Sequence, residues 1–383
     1  MAVTTRSKPL SEYWDPYPRY DRWLESQKVP IYHEYFIEDL RDVKLGPWEE
    51  RECNAAIVVL AGQEGVTEAR LTEIPAGTSL PPFKFSLDEM IYVLEGRGLT
   101  SVWADSKPAK TFEWQKHSLF VIPRGYHHQL SSVQGNQAAR LLHFNSLPIV
   151  MAAIPDPNYF FNNPLIQADP EVLYPSDDDD MYSEAKLVNY GKQEKGLWIS
   201  NFFPDVKAWD KMKPQFGRGG GASTASLAFP STANRVGLPT MPVGLYKKAH
   251  RHGPGIVIVI PGGEGMSVMW PSGGEDDKMY CRWHEGSVFV PPNQWWHQHF
   301  NVGAEPARYV TMHPPTHLLF GARWWQHGST GSDGQRNQIE YTEEDPAIRE
   351  RFAAELAKSG LKSQMPPEVY TDPYYEFEYP EEE

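Results

Sequence analysis

The stretch from Gly244 to Asn301 reads GLYKKAHRHGPGIVIVIPGGEGMSVMWPSGGEDDKMYCRWHEGSVFVPPNQWWHQHFN. It contains two strand pairs joined by a linker; the first carries His250 and His252, and the second carries His297. Residues two apart on a β-strand point to the same face of a sheet, so His250 and His252 can approach one ion from the same side. A third imidazole from a neighbouring strand would complete an open metal site with three nitrogen ligands.

The composition of the chain excludes several classes of partner. Its 383 residues can form one large domain or two domains of medium size. The net charge of −14 opposes phosphate backbones and anionic lipid surfaces, so we expect neither nucleic-acid nor membrane partners. The N-terminus has no apolar h-region, and no run of about 18 uncharged apolar residues occurs. We therefore expect a cytoplasmic protein that acts on a small molecule.

Short apolar runs separated by turn residues indicate an all-β chain with two strand-rich regions, each typical of a sandwich or barrel. Between them lies a connector that includes the acidic run Asp177–Asp180, which we interpret as a solvated loop. The glycine cluster Gly217–Gly221 predicts a flexible loop near a pocket mouth. The predicted organisation is a helical and aromatic extension (1–45), a first barrel (46–150), the connector (151–195), a second barrel (196–320), and a final loop, helix and acidic tail (321–383).

The two strand-rich regions share one frame of spacings, which indicates an internal repeat. Proline precedes histidine by five residues in both, at Pro292 and His297 and at Pro123 and His128. The other positions with matching spacings are Gly244, His250, His252, Ile256 and Gly263 in the second region, and Gly77, Phe83, Phe85, Glu89 and Gly96 in the first. Two copies of one domain explain this match better than chance.

The frame resembles that of the cupin superfamily, whose two motifs are G-x5-H-x-H-x3,4-E-x6-G and G-x5-P-x-G-x2-H-x3-N. The resemblance is to two-domain cupins, and it implies two double-stranded β-helix barrels, which are small jelly rolls, with short helices at the termini. Ile256 stands where the family has glutamate, and Gln294 where it has glycine. The motif positions that are met in the second half are Gly244, His250, His252, Gly263, Gly286, Pro292, His297 and Asn301.

The first half has lost most of the ligands that the resemblance would imply. Phe83 and Phe85 replace the histidine pair, and only Glu89 and His128 remain. Two ligands are too few for a typical transition-metal site, so we predict a scaffold without metal, filled with apolar side chains. We expect Glu89 and His128 to form a hydrogen-bonded pair, because an unpaired buried carboxylate would be costly. An aromatic-lined binding pocket is the alternative.

In the second half the resemblance assigns three metal ligands, His250, His252 and His297. Because Ile256 supplies no carboxylate, the charge of a divalent ion would stay uncompensated, which favours an anionic or chelating substrate. Fe(II) suits such a site, since substrate and dioxygen could bind side by side. Manganese, zinc, nickel and copper are also possible, because imidazole accepts many metals.

Further candidates follow from strand parity. His299 and Asn301 are separated from His297 by an even number of positions, and Tyr246 and Lys248 are separated from His250 in the same way. On a regular strand each would therefore point to the same face as that histidine. We interpret His299 and Tyr246 as candidate catalytic groups, although a barrel-wall histidine is an equal alternative for His299. The crowded tryptophans of the second half indicate a dry pocket for an apolar or aromatic part of the substrate. The candidate substrate-binding residues are Lys248, Trp295, Ile256, Asn301 and His313.

Three functions remain open at this point. The leading hypothesis is an iron-dependent dioxygenase that acts on a small organic acid or a hydroxylated aromatic compound, a use that two-domain cupins make of a similar site. The second is a lyase, hydrolase, isomerase or decarboxylase that uses manganese, zinc or nickel without oxygen. The third is a cupin that binds a small molecule without catalysis. A homo-oligomer is possible in each case.

Overall fold

The computed structural model describes residues 17–105, 107–169, 182–190, 195–315 and 337–379. These residues are mostly in β-strands, so the predicted all-β class is confirmed. Several predictions fall outside the described residues: the start of the N-terminal extension, the acidic loop at Asp177–Asp180, Trp324, Trp325 and the end of the acidic tail.

The strands of the first half and the segment before it are β1 (Ile31–Glu34), β2 (Phe36–Ile37), β3 (Gly46–Trp48), β4 (Cys53–Leu60), β5 (Glu68–Ile74), β6 (Phe83–Lys84), β7 (Glu89–Glu95), β8 (Arg97–Trp103), β9 (Lys110–Gln115), β10 (Leu119–Ile122), β11 (His127–Ser132) and β12 (Ala139–Asn145). The later strands are β13 (Lys186–Tyr190), β14 (Lys195–Ile199), β15 (Phe202–Phe203), β16 (Lys213–Pro214), β17 (Ser223–Ala228), β18 (Arg235–Met241), β19 (Ala249–His250), β20 (Val257–Gly262), β21 (Gly265–Trp270), β22 (Met279–Trp283), β23 (Val288–Phe289), β24 (Trp296–Asn301), β25 (Ala307–His313) and β26 (Gln338–Ile339).

Each half folds as a barrel of two sheets. In the first half, the sheet β1-β4-β5-β12-β7-β10-β15, with β3 beside β4, faces the sheet β6-β11-β8-β9. In the second half, the sheet β13-β14-β17-β18-β25-β20-β23-β2, with β16 beside β17, faces the sheet β22-β21-β24-β19-β26. Aromatic pairs join the facing sheets inside each barrel, such as Phe112 with Phe120 at 5.2 Å and Trp283 with Tyr309 at 5.1 Å between ring centroids.

The two larger sheets pack against each other and form one core between the barrels. Strand β7 shows how the sequence achieves this: Tyr92 points to the other barrel, whereas Ile91 and Val93 point into their own. Strand β20 does the same with Val259 toward the other barrel and Ile258 toward its own interior. Strands that are buried on both faces read as continuous apolar runs.

The halves also exchange edge strands. Strand β2, which precedes the first barrel, pairs with β23 of the second, and β15 pairs with β10 of the first. The Ser287 hydroxyl donates to the Glu38 carbonyl at 2.5 Å, and the equivalent Ser118 donates to the Pro204 carbonyl at 2.7 Å. Strands from outside each strand-rich region thus complete both sheets, and the domain boundaries at 46–150 and 196–320 stay a prediction.

The backbone repeats the frame that the sequence predicts, even where the residue types differ. Gln294 has φ 59° at the position of Gly125, which has φ 77°. His117 has φ 70° at the position of Gly286, which has φ 96°. Left-handed φ is rare for residues other than glycine, so these two turns retain the conformation of the repeat after losing its glycine.

Three helices pack on the barrels within the described residues: α1 (Arg19–Ser26), α2 (Leu147–Ala153) and α3 (Pro346–Lys358). Helices α1 and α2 cover the first barrel through Trp23, Leu147 and Met151. Helix α3 packs Phe352 against Phe300 of the second barrel, and the Asp345 side chain caps it by accepting from the Ala347 amide at 3.0 Å. Among the described residues, no helix is long and apolar enough to cross a membrane.

Candidate metal centre

Three histidines meet inside the second barrel. His250 on β19 lies directly opposite His297 on β24, with 4.3 Å between their ring centroids. His252 follows β19 in the chain, and its ring centroid lies 4.7 Å from that of His297. One nitrogen of each ring lies within 4.8 Å of the other two, and all three side chains are buried. Among the described residues, this is the one cluster of three or more side chains arranged to hold a metal ion.

Main-chain carbonyls orient the three imidazoles. Each ring has its Nδ1 within hydrogen-bond distance of a carbonyl oxygen, so we assign the proton to Nδ1. The acceptors are the carbonyls of Lys248 at 3.1 Å, Gly253 at 2.8 Å and Trp295 at 3.1 Å. The Nε2 lone pair of each ring is then available to a metal, and His297 Nε2 is buried without any hydrogen-bond partner. The residues therefore fit a divalent transition metal.

Burial also keeps these ligands neutral. It lowers the pKa of His252 to about 4 and holds the pKa values of His250 and His297 well below the usual value. The charge of Arg218 acts in the same direction on His250. Neutral imidazoles bind a cation without first releasing a proton.

Among the described residues, no carboxylate lines the cavity that holds the cluster. Ile256 is buried and lines the same cavity, at the position where the cupin motif has glutamate. Strand β20 continues from it with Ile258, which also faces the cavity. The ligand set is therefore three imidazoles, as the sequence predicts.

The cavity around the histidines measures about 220 Å³, and most of its lining residues carry a polar or charged group. Its charged and polar lining comprises Gln215, Arg218, Thr224, Ser226, Arg235, Lys247, His299, Thr311 and His313, together with the three candidate ligand histidines. Tyr309 is the aromatic residue of the described lining apart from histidines. Three of the described tryptophans lie outside this lining: Trp270 and Trp283 are buried in the core, and Trp295 contacts Tyr35 at 6.4 Å between ring centroids. The expected dry aromatic pocket, and the place of Trp295 in it, are therefore not observed.

His299 lies in the cavity beside the ligands, 5.5 Å from His297 between ring centroids. Its Nδ1 is 2.7 Å from the hydroxyl of Ser267, which also accepts from Trp283 Nε1 at 3.0 Å. The serine proton is thus available to His299 Nδ1, so we assign the ring proton to Nε2. Burial and the nearby charge of Lys247 lower the pKa of His299 to about 3.

The structure does not bring Tyr246 or Lys248 into the cavity. Tyr246 pairs with Phe300 across the sheet, and cross-strand partners share a face, so both point toward helix α3. The Tyr246 hydroxyl donates to Glu344 at 2.6 Å. Lys248 forms an ion pair with Glu340 at 2.5 Å outside the cavity. The chain between Tyr246 and β19 is not a regular strand, so alternation is interrupted there and Lys247 faces inward instead.

The two remaining candidates differ in their positions. Asn301 is fully buried but donates to the Met241 and Glu305 carbonyls at 3.0 and 2.8 Å, and it is not part of the cavity lining. His313 does line the cavity, its Nε2 lies 3.0 Å from Thr311 Oγ1, and its buried Nδ1 has no hydrogen-bond partner.

The sequence interpretation missed the cationic residues of the cavity. Lys247 donates to Gln215 Oε1 at 2.8 Å, and Arg218 donates to Gln338 Oε1 at 3.1 Å. Arg218 lies within the glycine cluster that predicts a loop near a pocket mouth, and this arginine is the signal that could have identified the loop as part of the site. Arg235 begins β18 and lies far from the histidines in sequence.

The first barrel holds a different arrangement at the equivalent place. Glu89 does not pair with His128 as expected: its Oε1 accepts from Arg70 and from Asn145, the latter at 3.2 Å, and its Oε2 lies 3.0 Å from His143 Nδ1. His128 instead contacts the edge of Phe83. Arg70 comes from β5, outside both cupin motifs, which is why the motif alone did not indicate it.

Two double-stranded β-barrels, one of which encloses a histidine cluster, have the two-domain architecture that the sequence resemblance to cupins predicts. No known protein-family profile and no curated protein sequence matches the chain. Among solved structures, the chain is similar to a variant of Bacillus subtilis oxalate decarboxylase, with 11% identity and a TM-score of 0.45, over 73% of this chain and 76% of that one. It is also similar to Lactobacillus farciminis oxalate decarboxylase in complex with formate, with 11% identity and a TM-score of 0.46, over 77% and 90% of the two chains.

Proposed function

We propose that this chain is a metal-dependent enzyme that acts on a small carboxylate in the cavity of the second barrel. One observation carries the proposal: imidazoles and cationic side chains line this cavity, and its described lining includes no carboxylate. The cationic residues are Arg218, Arg235 and Lys247. A bound divalent ion would add further positive charge, so an anionic substrate would restore electrical balance.

The metal would be held by His250, His252 and His297. A divalent transition metal bound there would supply Lewis-acid charge, and iron would in addition give access to dioxygen chemistry. The main-chain carbonyls fix the orientation of the three rings before any ion binds, which reduces the cost of assembling the site.

Lys247 is the best placed group for proton transfer. Burial and the charge of Arg218 lower its pKa to about 7, so the ammonium and amine forms are similarly populated near neutral pH. Groups with a pKa near the working pH are the most effective acids and bases. A carboxylate bound beside Lys247 would raise its pKa and favour the ammonium form, which is a proton donor.

The reaction class best supported is oxygen-independent cleavage next to a carboxylate, above all decarboxylation. When the bond between the carboxylate carbon and its neighbour breaks, CO₂ leaves and the electron pair stays on the neighbouring carbon. That carbon then requires a proton. The Lys247 ammonium can donate this proton and become a neutral amine, while the neutral His299 ring can donate a hydrogen bond from Nε2–H to the substrate, since both residues line the cavity.

An iron-dependent dioxygenase that acts on a small organic acid is the second candidate. The observation that favours it is Ile256, which leaves a neutral ligand set on which an anionic substrate can bind without competing with a protein carboxylate. A hydroxylated aromatic substrate receives less support, because Tyr309 is the one aromatic residue of the described lining apart from histidines.

Anaerobic reconstitution tests the proposal. The metal-free chain is loaded separately with Mn(II), Zn(II) and Fe(II), and incubated with a panel of small mono- and dicarboxylates while CO₂ release and oxygen uptake are recorded. We expect CO₂ release without air in at least one metal form, and its loss in His252→Ala and His297→Ala. Oxygen uptake by the iron form alone would instead favour the dioxygenase. If no acid reacts and both variants retain the cellular role of the chain, the protein binds small molecules without catalysis.

A further inference from the structure

The first barrel contains a cavity of its own, of about 130 Å³. Its apolar lining includes Leu80, Phe83 and Leu130. Arg51 and His128 also line it, and both contact the ring of Phe83. This cavity lies in the half of the chain that has lost the metal-binding histidine pair, so the proposed chemistry of the second barrel does not use it.

Arg51 is a charged side chain in this cavity without a counterpart. Its guanidinium lies over the ring of Phe83, and its Cζ is 5.1 Å from the ring centroid of Trp48 and 5.2 Å from that of Phe161. Stacking on aromatic rings uses the faces of the planar guanidinium and leaves the N–H donors at its edge free. No ion pair or hydrogen bond joins these donors to any described residue.

The nearest buried carboxylate is already engaged. Both oxygens of Glu89 face other partners, Arg70 and Asn145 at Oε1 and His143 at Oε2. The other carboxylates of the lining, Glu50 and Glu52, are exposed, and neither is bonded to Arg51. The described residues of the barrel therefore pair no carboxylate with Arg51, which lines the cavity.

The surroundings of Arg51 indicate that a ligand of opposite charge would be favoured. Burial, followed by repulsion from Arg70, lowers the pKa of Arg51 to about 9. His128 is buried beside it, and its Nδ1 has no hydrogen-bond partner. A partly buried cation and an unsatisfied buried polar atom in one cavity each cost free energy unless a ligand satisfies them.

We propose that the first barrel binds a small monocarboxylate with a compact apolar body. The carboxylate accepts two hydrogen bonds from the edge of the Arg51 guanidinium, and the apolar body packs against Leu80 and Leu130. The cavity of about 130 Å³ is slightly smaller than the about 150 Å³ that holds benzene, so the apolar body can be no larger than one phenyl ring. The chain thus has two ligand sites, one in each barrel, and only the second is a metal site.

Benzoate is the probe for this site. Binding is measured calorimetrically on the full-length, metal-free chain that also carries Lys247→Met, which weakens any binding in the second barrel. We expect Arg51→Met in this background to weaken benzoate binding about tenfold or more, since it removes a charge-assisted, two-pronged contact. The exposed Arg97→Met is the matched control and should leave the affinity unchanged. Benzyl alcohol, which has the ring without the charge, should bind about tenfold more weakly than benzoate.

Two further measurements keep the test decisive if Arg51→Met is poorly folded. Arg51→Lys keeps the charge but loses the planar fork, and it should also weaken binding. A crystal soaked with bromobenzoate should show an anomalous bromine peak in the first barrel. Equal benzoate affinity with and without Arg51, or no saturable binding up to about 10 mM, would overturn the proposal.

Discussion

Ile256 and Glu89 occupy equivalent positions in the two barrels: Ile256 immediately precedes β20, and Glu89 is the first residue of β7. Each side chain lines the cavity of its own barrel. Glu89 is neutralised within the protein by Arg70. Ile256 leaves Arg218 and Lys247 without any carboxylate in the described lining. This backbone position therefore supplies a buried carboxylate in the first barrel and none in the second.

Ile256→Glu should restore the fourth cupin ligand. Because an anionic ligand compensates part of the charge of the ion, we expect Mn(II) and Fe(II) to bind about tenfold more tightly or better. The same carboxylate should weaken the binding of an anionic substrate. Competition with a chromophoric chelator measures the metal affinity. Ile256→Gln is the control of nearly equal shape, and equal metal affinities of the Glu and Gln variants would contradict the prediction.

Lys247 and Lys248 form a natural matched pair for testing the cationic cavity. Lys247→Met should weaken the binding of malonate to the manganese-loaded chain by about tenfold or more, because it removes a buried cation next to the metal site. Lys248→Met should change it by less than about twofold, since this ammonium is already paired with Glu340 outside the cavity. Calorimetric titration distinguishes the two; a larger effect at Lys248 would mean that the substrate enters from the other side.

Tyr246→Phe should affect stability rather than activity. The hydroxyl donates to Glu344 at 2.6 Å and lies 3.0 Å from the hydroxyl of Tyr370. Loss of these bonds should lower the free energy of unfolding by about 1 kcal/mol, as measured by urea denaturation. Turnover should stay within about threefold of wild type, since the side chain does not line the cavity. A large loss of turnover without a loss of stability would return Tyr246 to the list of catalytic groups.

The metal-free chain should lose stability as the pH falls below about 6.5. Burial lowers the pKa of His117 and His252 to about 4 and that of His128 and His299 to about 3. The unfolded chain takes up protons at these histidines near pH 6.5 while the folded chain does not, so their stabilising contribution is complete above pH 6.5 and declines toward pH 3 to 4.

At pH 5 this amounts to about 2 kcal/mol for each histidine. Glu344, with a pKa raised to about 7 by burial, acts in the opposite direction, as do Asp21 and Asp88, whose pKa values burial also raises. Urea midpoints at pH 7.5, 6 and 5 test the prediction. His128→Gln removes one of the titrating groups and should make the decline shallower; a midpoint that does not change over this range would refute it.

Strand parity identified residues correctly only where the chain forms a continuous strand. Strand β24 is regular, so His297 and His299 both face the cavity. Before β19 the strand is interrupted, and the parity argument placed Tyr246 and Lys248 inside although Lys247 is the residue that faces inward. Irregular backbone of this kind depends on tertiary contacts, such as the bridge between Tyr246 and Phe300, which a sequence pattern does not contain.

The barrel frame and the metal cluster were predictable because both depend on short, local spacings. The other residues that line the two cavities could not be predicted in this way. Arg218 and Arg235 reach the cavity from other strands and loops, and Arg51 and Arg70 do so in the first barrel. Long-range contacts of this kind are decided by topology. The sequence predicted that Phe83 and other apolar side chains fill the first barrel, and this gave no indication of a cavity that contains a cation.

The exchange of β2 and β15 between the barrels has a consequence for synthesis of the chain. The first barrel lacks an edge until Phe203 has been made, and β2 has no partner strand until Val288 and Phe289 follow. From residue 37 to residue 288 the ribosome adds 251 residues, which takes about 13 to 50 s at about 5–20 residues per second. During that interval the apolar Phe36 and Ile37 form an unpaired edge. One of the first strands to leave the ribosome thus waits for a partner in the second barrel, and a nascent chain arrested between the barrels would be the form most exposed to aggregation.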